Sequence, residues 1–388
     1  MKFVSKQVMT GLMVGAMGLS IWAPASQAAV PENNRYYTIN LKANQKLVWD
    51  VANESNDKDR AILLYDGKRG DNEQFVFFQL DGGTYAIVNK NSGKPVTIGS
   101  AAWYGDYSYP GLIRGTDVLQ QQSWTGAPAE QWYLRDKGSN NYEVVNQGNG
   151  RVASYAGVSM TGGWIQYVDL DESNPSDSDR VFNIANSPSG LSLPTLPATG
   201  TRPTAPNYTG GSDQQLPRTS DSVVIGASLI PCIMVNDSQA SEYTKIHNSP
   251  YYVLVKEEYW EQTFSKVIQP GLSESYSYKT GISSVDQQKM TDTLSIQVGA
   301  DLGLKFGDKT AALKAQITKT LQTEVSTTNT QASEETITQT ATGEPGKATG
   351  YTQYQLATKY TLKRQDGSTV SDPWVVKNNR ITVTRKSS

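Results

Sequence analysis

The stretch TLSIQVGADLGLKFGDKTAALKAQI, residues 293–317, decides the expected fold of the C-terminal half. Its first part alternates strictly between apolar and polar side chains. Because successive side chains on a β-strand point to opposite faces, this alternation predicts a strand with one apolar and one polar face. The apolar residues of the predicted strand are Leu294, Ile296, Val298, Ala300, Leu302, Leu304 and Phe306.

A polar turn, Gly307-Asp308-Lys309-Thr310, follows, and the chain then returns along a second apolar series. That series consists of Leu313, Ala315, Ile317, Leu321 and Val325. Its alternation fits a second strand, which would complete a hairpin. The four-residue spacing of Leu313, Ile317 and Leu321 fits an amphipathic helix equally well, so both structures stay open for this return limb.

The apolar face of this hairpin has two explanations. Antiparallel strands that are half-buried in a soluble sheet alternate in this way. So do the strands of a membrane-spanning β-barrel, which present apolar side chains to lipid and polar ones to a water-filled lumen. The predicted strand exceeds the roughly 9–11 residues that such a crossing needs. Lys319 counts against the return limb, because a charge near mid-bilayer costs about 2–4 kcal/mol.

Hydroxyl-rich tracts on both sides of the hairpin predict further strands. Residues 276–280, 326–330 and 336–342 interleave Ser and Thr with apolar or aromatic residues, and residues 353–362 and 380–384 also alternate. Thr, Tyr, Val and Ile favour strands, and hydroxyl groups suit a face that contacts water. The C-terminal half is therefore predicted to be a β domain.

The first residues have the features of a secretory signal. Lys2 and Lys6 precede an apolar run at residues 8–23, and small residues follow at 26–28. This pattern predicts a signal peptide over residues 1–28, cleaved after Ala28, and hence a secreted protein. A retained membrane anchor is the alternative, although the run is short and rich in glycine.

The composition argues against several classes of function. The formal net charge is −2, and no cluster of Lys and Arg suggests a nucleic-acid partner. Cys232 is the only cysteine, so no internal disulfide is expected, and its apolar neighbours predict a buried thiol. His247 is the only histidine, so a zinc site built from histidines is excluded. We therefore expect no enzyme, no metal and no cofactor, although a pair of carboxylates could still hydrolyse glycosides.

A stretch rich in Pro, Gly, Ser and Thr divides the chain. It covers residues 187–220, and proline density of this kind favours extended backbone over a packed core. We therefore expect an N-terminal domain at 29–186, a proline-rich linker at 187–222 and a C-terminal domain at 223–388. The regular prolines would allow the linker to lie along the protein surface.

The N-terminal half contains three related units. Each begins with a short strand pattern that ends in Asn, at residues 37–40, 85–89 and 142–146. Each closes with a polar and aromatic pattern, at residues 73–77, 130–134 and 179–184. Three short-strand units at a similar period predict a threefold all-β domain. The closing pattern resembles the Gln-x-Trp signature of ricin-type β-trefoil lectins, except that Arg180 replaces the glutamine in the third unit.

The resemblance to these lectins implies a sugar site in the first unit. It assigns Asp50, Tyr65 and Glu73 to the sugar, with Asn72 and Gln74 as supports, and Asp50 is expected at the protein surface. Carboxylates accept hydrogen bonds from sugar hydroxyls, and an aromatic ring contacts the apolar face of the sugar. Leu63 departs from the lectin pattern, and the second and third units lack the acid, with Ser154 near its position in the third. Trp164 and Tyr167 of the third unit could stack on a sugar, or these aromatic residues could simply close the barrel.

Two further motifs resemble a toxin family. SLIPCIMVND at residues 228–237 and SPYYVLVKEEYW at residues 249–260 are similar to the Bin-type insecticidal toxins. The resemblance covers the chain after the signal peptide and implies an all-β protein, with a β-trefoil lectin-like head and an elongated aerolysin-like C-terminal β domain. One departure is the export signal, because many relatives accumulate as crystals in the producing cell.

The resemblance implies an insecticidal pore-forming toxin. The head would bind a glycan or glycoprotein receptor on the target-cell membrane, and a homo-oligomer would close one barrel from the hairpins of several copies. Assembly is required because a single hairpin leaves unpaired backbone edges in lipid. A second toxin component would be a further partner. The alternatives are a non-lytic secreted carbohydrate-binding protein and a secreted glycosidase with a lectin appendage.

Overall fold

The computed structural model describes residues 31–68, 70–105, 111–160, 163–299, 302–323 and 332–387. The predicted signal peptide, the hydroxyl-rich tract at 326–330 and the predicted hairpin residues Ala300 and Val325 lie outside these ranges. None of the helices within the ranges combines the length and apolar character that a membrane span needs.

The three predicted units of the N-terminal half form a twelve-stranded sheet. In each unit the first and fourth strands belong to a closed ring with the pairing β1–β4–β5–β8–β9–β12–β1. The second and third strands form hairpins, of which the first contacts both others. This is the β-trefoil that the repeats predict. Its strands are β1 (Arg35–Leu41), β2 (Asn44–Val51), β3 (Arg60–Asp66), β4 (Phe75–Gln79), β5 (Tyr85–Asn89), β6 (Val96–Trp103), β7 (Leu112–Gln121), β8 (Trp132–Asp136), β9 (Asn141–Asn146), β10 (Val152–Met160), β11 (Gly163–Asp171) and β12 (Phe182–Gly190).

The closing motifs supply the aromatic core of this head. Phe75, Trp132 and Phe182 open β4, β8 and β12 and are fully buried. Trp49 meets Phe182 edge to face, with ring centroids 5.5 Å apart. A one-turn 3-10 helix precedes each of these strands: Asp71–Glu73, Pro128–Glu130 and Ser178–Arg180. Arg180 therefore occupies the position of Glu73 and Glu130, so aligning it with a glutamine was wrong by one residue.

The proline-rich linker lies along one face of the C-terminal sheet. Trp260 Nε1 donates to the Pro203 carbonyl oxygen at 2.7 Å, and the Tyr354 hydroxyl donates to the Pro217 carbonyl oxygen at 2.6 Å. The Arg385 guanidinium donates to the Ala205 carbonyl oxygen at 3.2 Å. Side chains of the sheet thus donate hydrogen bonds to backbone carbonyl groups of the linker. Such carbonyl groups need partners when the linker packs against the sheet.

The C-terminal domain is built on a six-stranded antiparallel sheet in the order β13–β14–β19–β20–β15–β18. Its strands are β13 (Val223–Pro231), β14 (Tyr251–Ile268), β15 (Ser273–Ile282), β18 (Glu335–Thr342), β19 (Thr349–Lys363) and β20 (Trp374–Ser387). Two of the hydroxyl-rich tracts, residues 276–280 and 336–342, lie in β15 and β18, as predicted. Tyr276 and Tyr278 are buried on one face of β15, while Ser275 and Ser277 are exposed on the other.

Four helices and a small hairpin complete this domain within its described residues. They are α1 (Glu242–Asn248), α2 (Ser284–Leu294), β16 (Ile296–Val298), β17 (Leu304–Phe306), α3 (Asp308–Ala311) and α4 (Lys314–Leu321). Ser241 and Ser283 cap the N-termini of α1 and α2 by accepting backbone N–H bonds. All of these elements except α1 lie in the segment between β15 and β18, which pair directly with each other.

The prediction of one continuous strand over residues 294–306 is wrong for this structure. Leu294 ends α2, and the remaining residues fold back on themselves, with Val298 opposite Leu304 in the β16–β17 hairpin. The Leu302 backbone N–H donates to the Gly299 carbonyl oxygen at 2.9 Å in this reversal, and Leu302 itself has a φ angle of 58°. Folding back lets both short strands bury their apolar residues against one core.

The return limb is helical where it is described. Leu313, Ile317 and Leu321 are buried on one side of α4, whereas Ala315 is exposed. The four-residue apolar spacing therefore decides the structure of this limb, because it matches the helical period.

Candidate functional site

The first unit of the trefoil contains an open pocket at the predicted sugar site. Asp50 on β2 lies directly opposite Leu63 on β3, and Tyr65 follows two residues later on the same face. The turn Asp71–Glu73 brings Asn72 and Glu73 alongside them. The cavity has a volume of about 260 Å³ and is lined by Asp50, Asn53, Glu54, Leu63, Tyr65, Lys68, Gly70, Asn72 and Glu73.

Asp50 lies at the base of this pocket and not at the protein surface, where a sugar-binding acid was expected. It is 8% exposed, and its Oδ2 accepts a hydrogen bond from Asn72 Nδ2 at 2.8 Å. Glu73 is also buried, and its Oε1 accepts from the Lys68 backbone N–H at 3.1 Å. Burial, together with the neighbouring Glu73 carboxyl, raises the pKa of Asp50 to about 7.

This raised pKa predicts a pH-dependent stability. Between the ordinary pKa of an aspartate and pH 7, Asp50 is ionised in the unfolded chain but protonated in the folded one. The stability it contributes is therefore fully present below pH 4 and is lost as the pH rises to about 7. We expect Asp50→Asn, which cannot ionise, to gain in melting temperature relative to the wild type between pH 4 and 7. Thermal melts across this range measure the difference, and a constant difference would contradict the assignment.

Tyr65 and Gln74 differ in their relation to the pocket. The Tyr65 side chain is 53% exposed, so its ring is available to a ligand. Gln74 does not line the pocket, and its Nε2 donates to the Gly70 carbonyl oxygen at 3.3 Å. A Cβ at Gly70 would lie 2.5 Å from Asn72 Oδ1, so a side chain at this position would displace the Asn72 amide. Gln74 and Gly70 thus hold the turn that presents Asn72 and Glu73.

Among the described residues of the second unit, no acid lies at the equivalent place. Thr97, paired with Gln120, occupies the position of the Asp50–Leu63 pair. Glu130, at the position of Glu73, accepts the backbone N–H groups of Thr125 and Gly126, both at 2.9 Å. Glu73 and Glu130 thus both accept backbone N–H groups of the preceding loop and hold it in place. The buried carboxylate of Asp50 has no counterpart in the second unit.

The third unit carries an acid that the sequence comparison missed. Asp169 lies directly opposite Ser154, which occupies the position of Asp50, so the carboxylate has moved to the neighbouring strand. Burial, and then the nearby Asp171 carboxylate, raises the pKa of Asp169 to about 6. Arg180 pairs with Asp171 at 2.7 Å and with Asp177 at 3.1 Å, so ion pairs occupy this part of the unit. The alternation of Tyr167, Asp169 and Asp171 could have revealed this acid.

Trp164 and Tyr167 do not form one site. They lie three residues apart on β11 and therefore point to opposite faces of the strand. Tyr167 lies opposite Leu63 and packs in the core of the three hairpins. Trp164 is 59% exposed on the other face, with its ring so close over Gly157 that a Cβ there would lie 2.2 Å from it.

The predicted membrane-inserting residues are mostly buried in a core that both domains share. Leu294, Ile296, Val298, Leu304, Leu313, Ile317 and Leu321 are fully buried, whereas Leu302 and Phe306 are only partly buried. The same core contains Phe78, Leu80 and Trp124 of the trefoil. The apolar face of the segment is thus covered, and the cover includes the head.

Cys232 lies in this shared core, as its apolar neighbours predicted. The side chain is buried, and burial raises the pKa of the thiol to about 12. We expect Cys232→Ala to keep the fold and to lose about 1 kcal/mol of stability in thermal melts. Rapid reaction of the native protein with a thiol reagent, or unfolding of the alanine variant, would contradict this structural assignment.

Both domains match known protein families. Residues 223–387 match the family described as Insecticidal Crystal Toxin, P42, and residues 22–106 and 71–168 match the ricin-type beta-trefoil lectin domain-like family. The binary larvicide subunit BinA of Lysinibacillus sphaericus is 30% identical over 315 residues, which cover 81% of this chain and 80% of BinA. Subunit BinB of the same organism is 27% identical over 327 residues, covering 82% of this chain and 70% of BinB. The crystal structure of Cry35Ab1 matches with a TM-score of 0.76 at 21% identity, covering 92% of this chain and 90% of the other.

Proposed function

This chain belongs to the Bin-type family of insecticidal toxins, and we propose that it is a pore-forming toxin subunit that recognises a target-cell glycan. Two observations support the proposal. The first is the pocket of the trefoil, where a carboxylate, an amide and an exposed ring converge. The second is the apolar segment that connects β15 to β18. These two strands pair directly with each other, so an extended segment would continue them into a longer hairpin.

Glycan binding would use the chemistry of the pocket. Asp50 accepts hydrogen bonds from sugar hydroxyls. Asn72 Nδ2 orients the Asp50 carboxylate by donating to its Oδ2 at 2.8 Å. Tyr65 supplies an apolar face for the sugar ring. An ionised carboxylate is the stronger acceptor, so the site is best suited to binding above pH 7, where Asp50 is charged. The ligand class is a sugar, or a glycoprotein receptor that carries one.

Pore formation would require the segment to leave its buried place. The apolar residues Ile296, Val298 and Leu304 would then face lipid, while Gln297 and Lys305 would face water. Every backbone group in lipid must be paired, so several copies must close one barrel. The proposed active form is therefore a homo-oligomer on the membrane.

A second toxin component is the further partner that we propose. The relatives BinA and BinB are named as subunits of a binary larvicide. This chain resembles both of them over most of its length. The proposal is that it too acts together with a second protein, at the membrane of a target cell.

Leakage separates this proposal from a non-lytic lectin. Susceptible insect gut cells loaded with dye should leak after addition of the full chain with a candidate second component. A non-lytic lectin would bind the same cells and leave them sealed. Binding without leakage under every combination of components would overturn pore formation and leave glycan recognition standing.

A further inference from the structure

The trefoil head contacts the C-terminal domain both outside the segment between β15 and β18, where Phe78 also meets Tyr251 of β14 edge to face, and within that segment. The first contact is with α1, which lies outside the segment between β15 and β18. Lys94 Nζ lies 2.8 Å from a Glu242 carboxylate oxygen, and the turn at Gly93 fits so closely that a Cβ there would lie 2.3 Å from the Glu242 carbonyl oxygen. This contact anchors the head to a part of the body that the proposed insertion leaves in place.

The second contact is with α3, which belongs to the segment itself. Trp124 Nε1 donates a hydrogen bond to the Lys309 carbonyl oxygen at 2.8 Å, and the Asp81 backbone N–H donates to the Ala312 carbonyl oxygen. Gly126, at φ +88°, approaches so closely that a Cβ would lie 2.3 Å from the Asp308 carbonyl oxygen. A helix of only four residues leaves its last carbonyl groups without intrahelical partners. The head supplies donors to this short helix and its C-cap.

Side chains of the head also bury the apolar residues of the segment. Leu80 and Trp124 belong to the same buried cluster as Leu294, Leu313 and Ile317. Removing the head from this place would expose apolar surface on both sides, which is unfavourable in water. The polar and apolar contacts therefore act together to hold α3 and α4 in their packed positions.

The segment is held in a conformation that its own backbone disfavours. Ser295, Leu302 and Gln322 have φ angles of 52°, 58° and 49°. The left-handed region costs a residue other than glycine about 1–2 kcal/mol. An extended strand would return all three residues to favoured backbone angles. The C-cap bonds of α2 and α4 within the segment offset part of this strain, and the contacts with the head add to them.

We propose that the trefoil head has a second function, as a latch on the segment. The latch consists of residues 80–83 and 123–126 of the head in contact with residues 308–313. It holds the segment folded, and it must separate from α3 before the segment can extend. The role of the latch in insertion rests on the proposed pore formation. Its effect on the stability of the folded segment can be measured without a membrane.

Hydrogen exchange of the full chain tests the latch. Trp124→Phe keeps an aromatic ring and removes the bond to Lys309, so exchange of residues 295–321 should become about five-fold faster. Gly126→Ala places a Cβ against the Asp308 carbonyl and should accelerate exchange more. Lys94→Gln breaks the α1 contact and is the matched control, with exchange of the segment expected to stay at the wild-type rate.

The possible results separate the latch from the pore. Faster exchange confined to residues 295–321 in Trp124→Phe and Gly126→Ala supports the latch, whether or not any protein permeabilises dye-loaded phosphatidylcholine vesicles. Unchanged exchange of this segment in Trp124→Phe would overturn it. Equal acceleration in Lys94→Gln would also overturn it, because the effect would then belong to the whole interface between the domains. Failure of every protein to permeabilise cells or vesicles bears on pore formation alone.

Discussion

Asp50→Ala is expected to abolish glycan binding by the head. The substitution removes the carboxylate at the base of the pocket and leaves Asn72 Nδ2 without its acceptor. Hydrogen bonds to charged groups contribute about 1.5–3 kcal/mol each, so losing two of them weakens binding roughly 100-fold or more. A glycan array probed at pH 8, where Asp50 is ionised, measures the loss.

The third unit provides a matched control for this experiment. Asp169→Asn neutralises an acid with a similarly raised pKa at the symmetry-related place, and glycan binding should persist. Because Asp50 is buried, the fold of each variant must be verified by thermal melting, and Asp50→Asn gives the same test with an unchanged side-chain shape. Retained binding in both folded Asp50 variants would remove the pocket from the proposed function.

The sequence predicted Asp50, Tyr65, Asn72 and Glu73 of this pocket but not their environment. The resemblance to ricin-type lectins assigned them to one site, and the structure gathers them around one cavity. Burial of Asp50 depends on the turn Asp71–Glu73, which packs against β2 through tertiary contacts that no local pattern encodes. The separation of Trp164 from Tyr167 could have been predicted, since their spacing puts them on opposite faces of a strand.

The C-terminal domain shows where a periodic pattern fails. Tyr276 and Tyr278 alternate with serines and form a strand, as predicted, because β15 has neighbours on both sides to pair with. Residues 294–306 alternate just as regularly, but the chain folds back between Val298 and Leu304. Ile296, Val298 and Leu304 are buried in a core shared with the head, and this burial outweighs the local preference. Alternation establishes an apolar face and leaves open what covers it.

The structure also changes the expected effect of charges in this segment. Val298→Asp is expected to unfold the segment between β15 and β18 even when no membrane is present. Val298 is buried opposite Leu304, so the carboxylate would lie unpaired in the shared core. An uncompensated buried charge of this kind costs about 4–5 kcal/mol, the upper end of what single substitutions do. A fall in the melting temperature and faster hydrogen exchange of residues 295–321 measure this effect.

Gln297→Asp is the matched control, one residue away on the opposite face of β16. Gln297 lies across from Lys305, so an aspartate gains an oppositely charged neighbour and the protein should melt near the wild-type temperature. In a barrel this side chain faces the lumen, and the added negative charge should shift ion selectivity towards cations with pore formation intact. Wild-type melting of Val298→Asp would contradict the buried position of the hairpin. A folded Gln297→Asp that forms pores of unchanged selectivity would mean that the lumen is lined by another part of the chain.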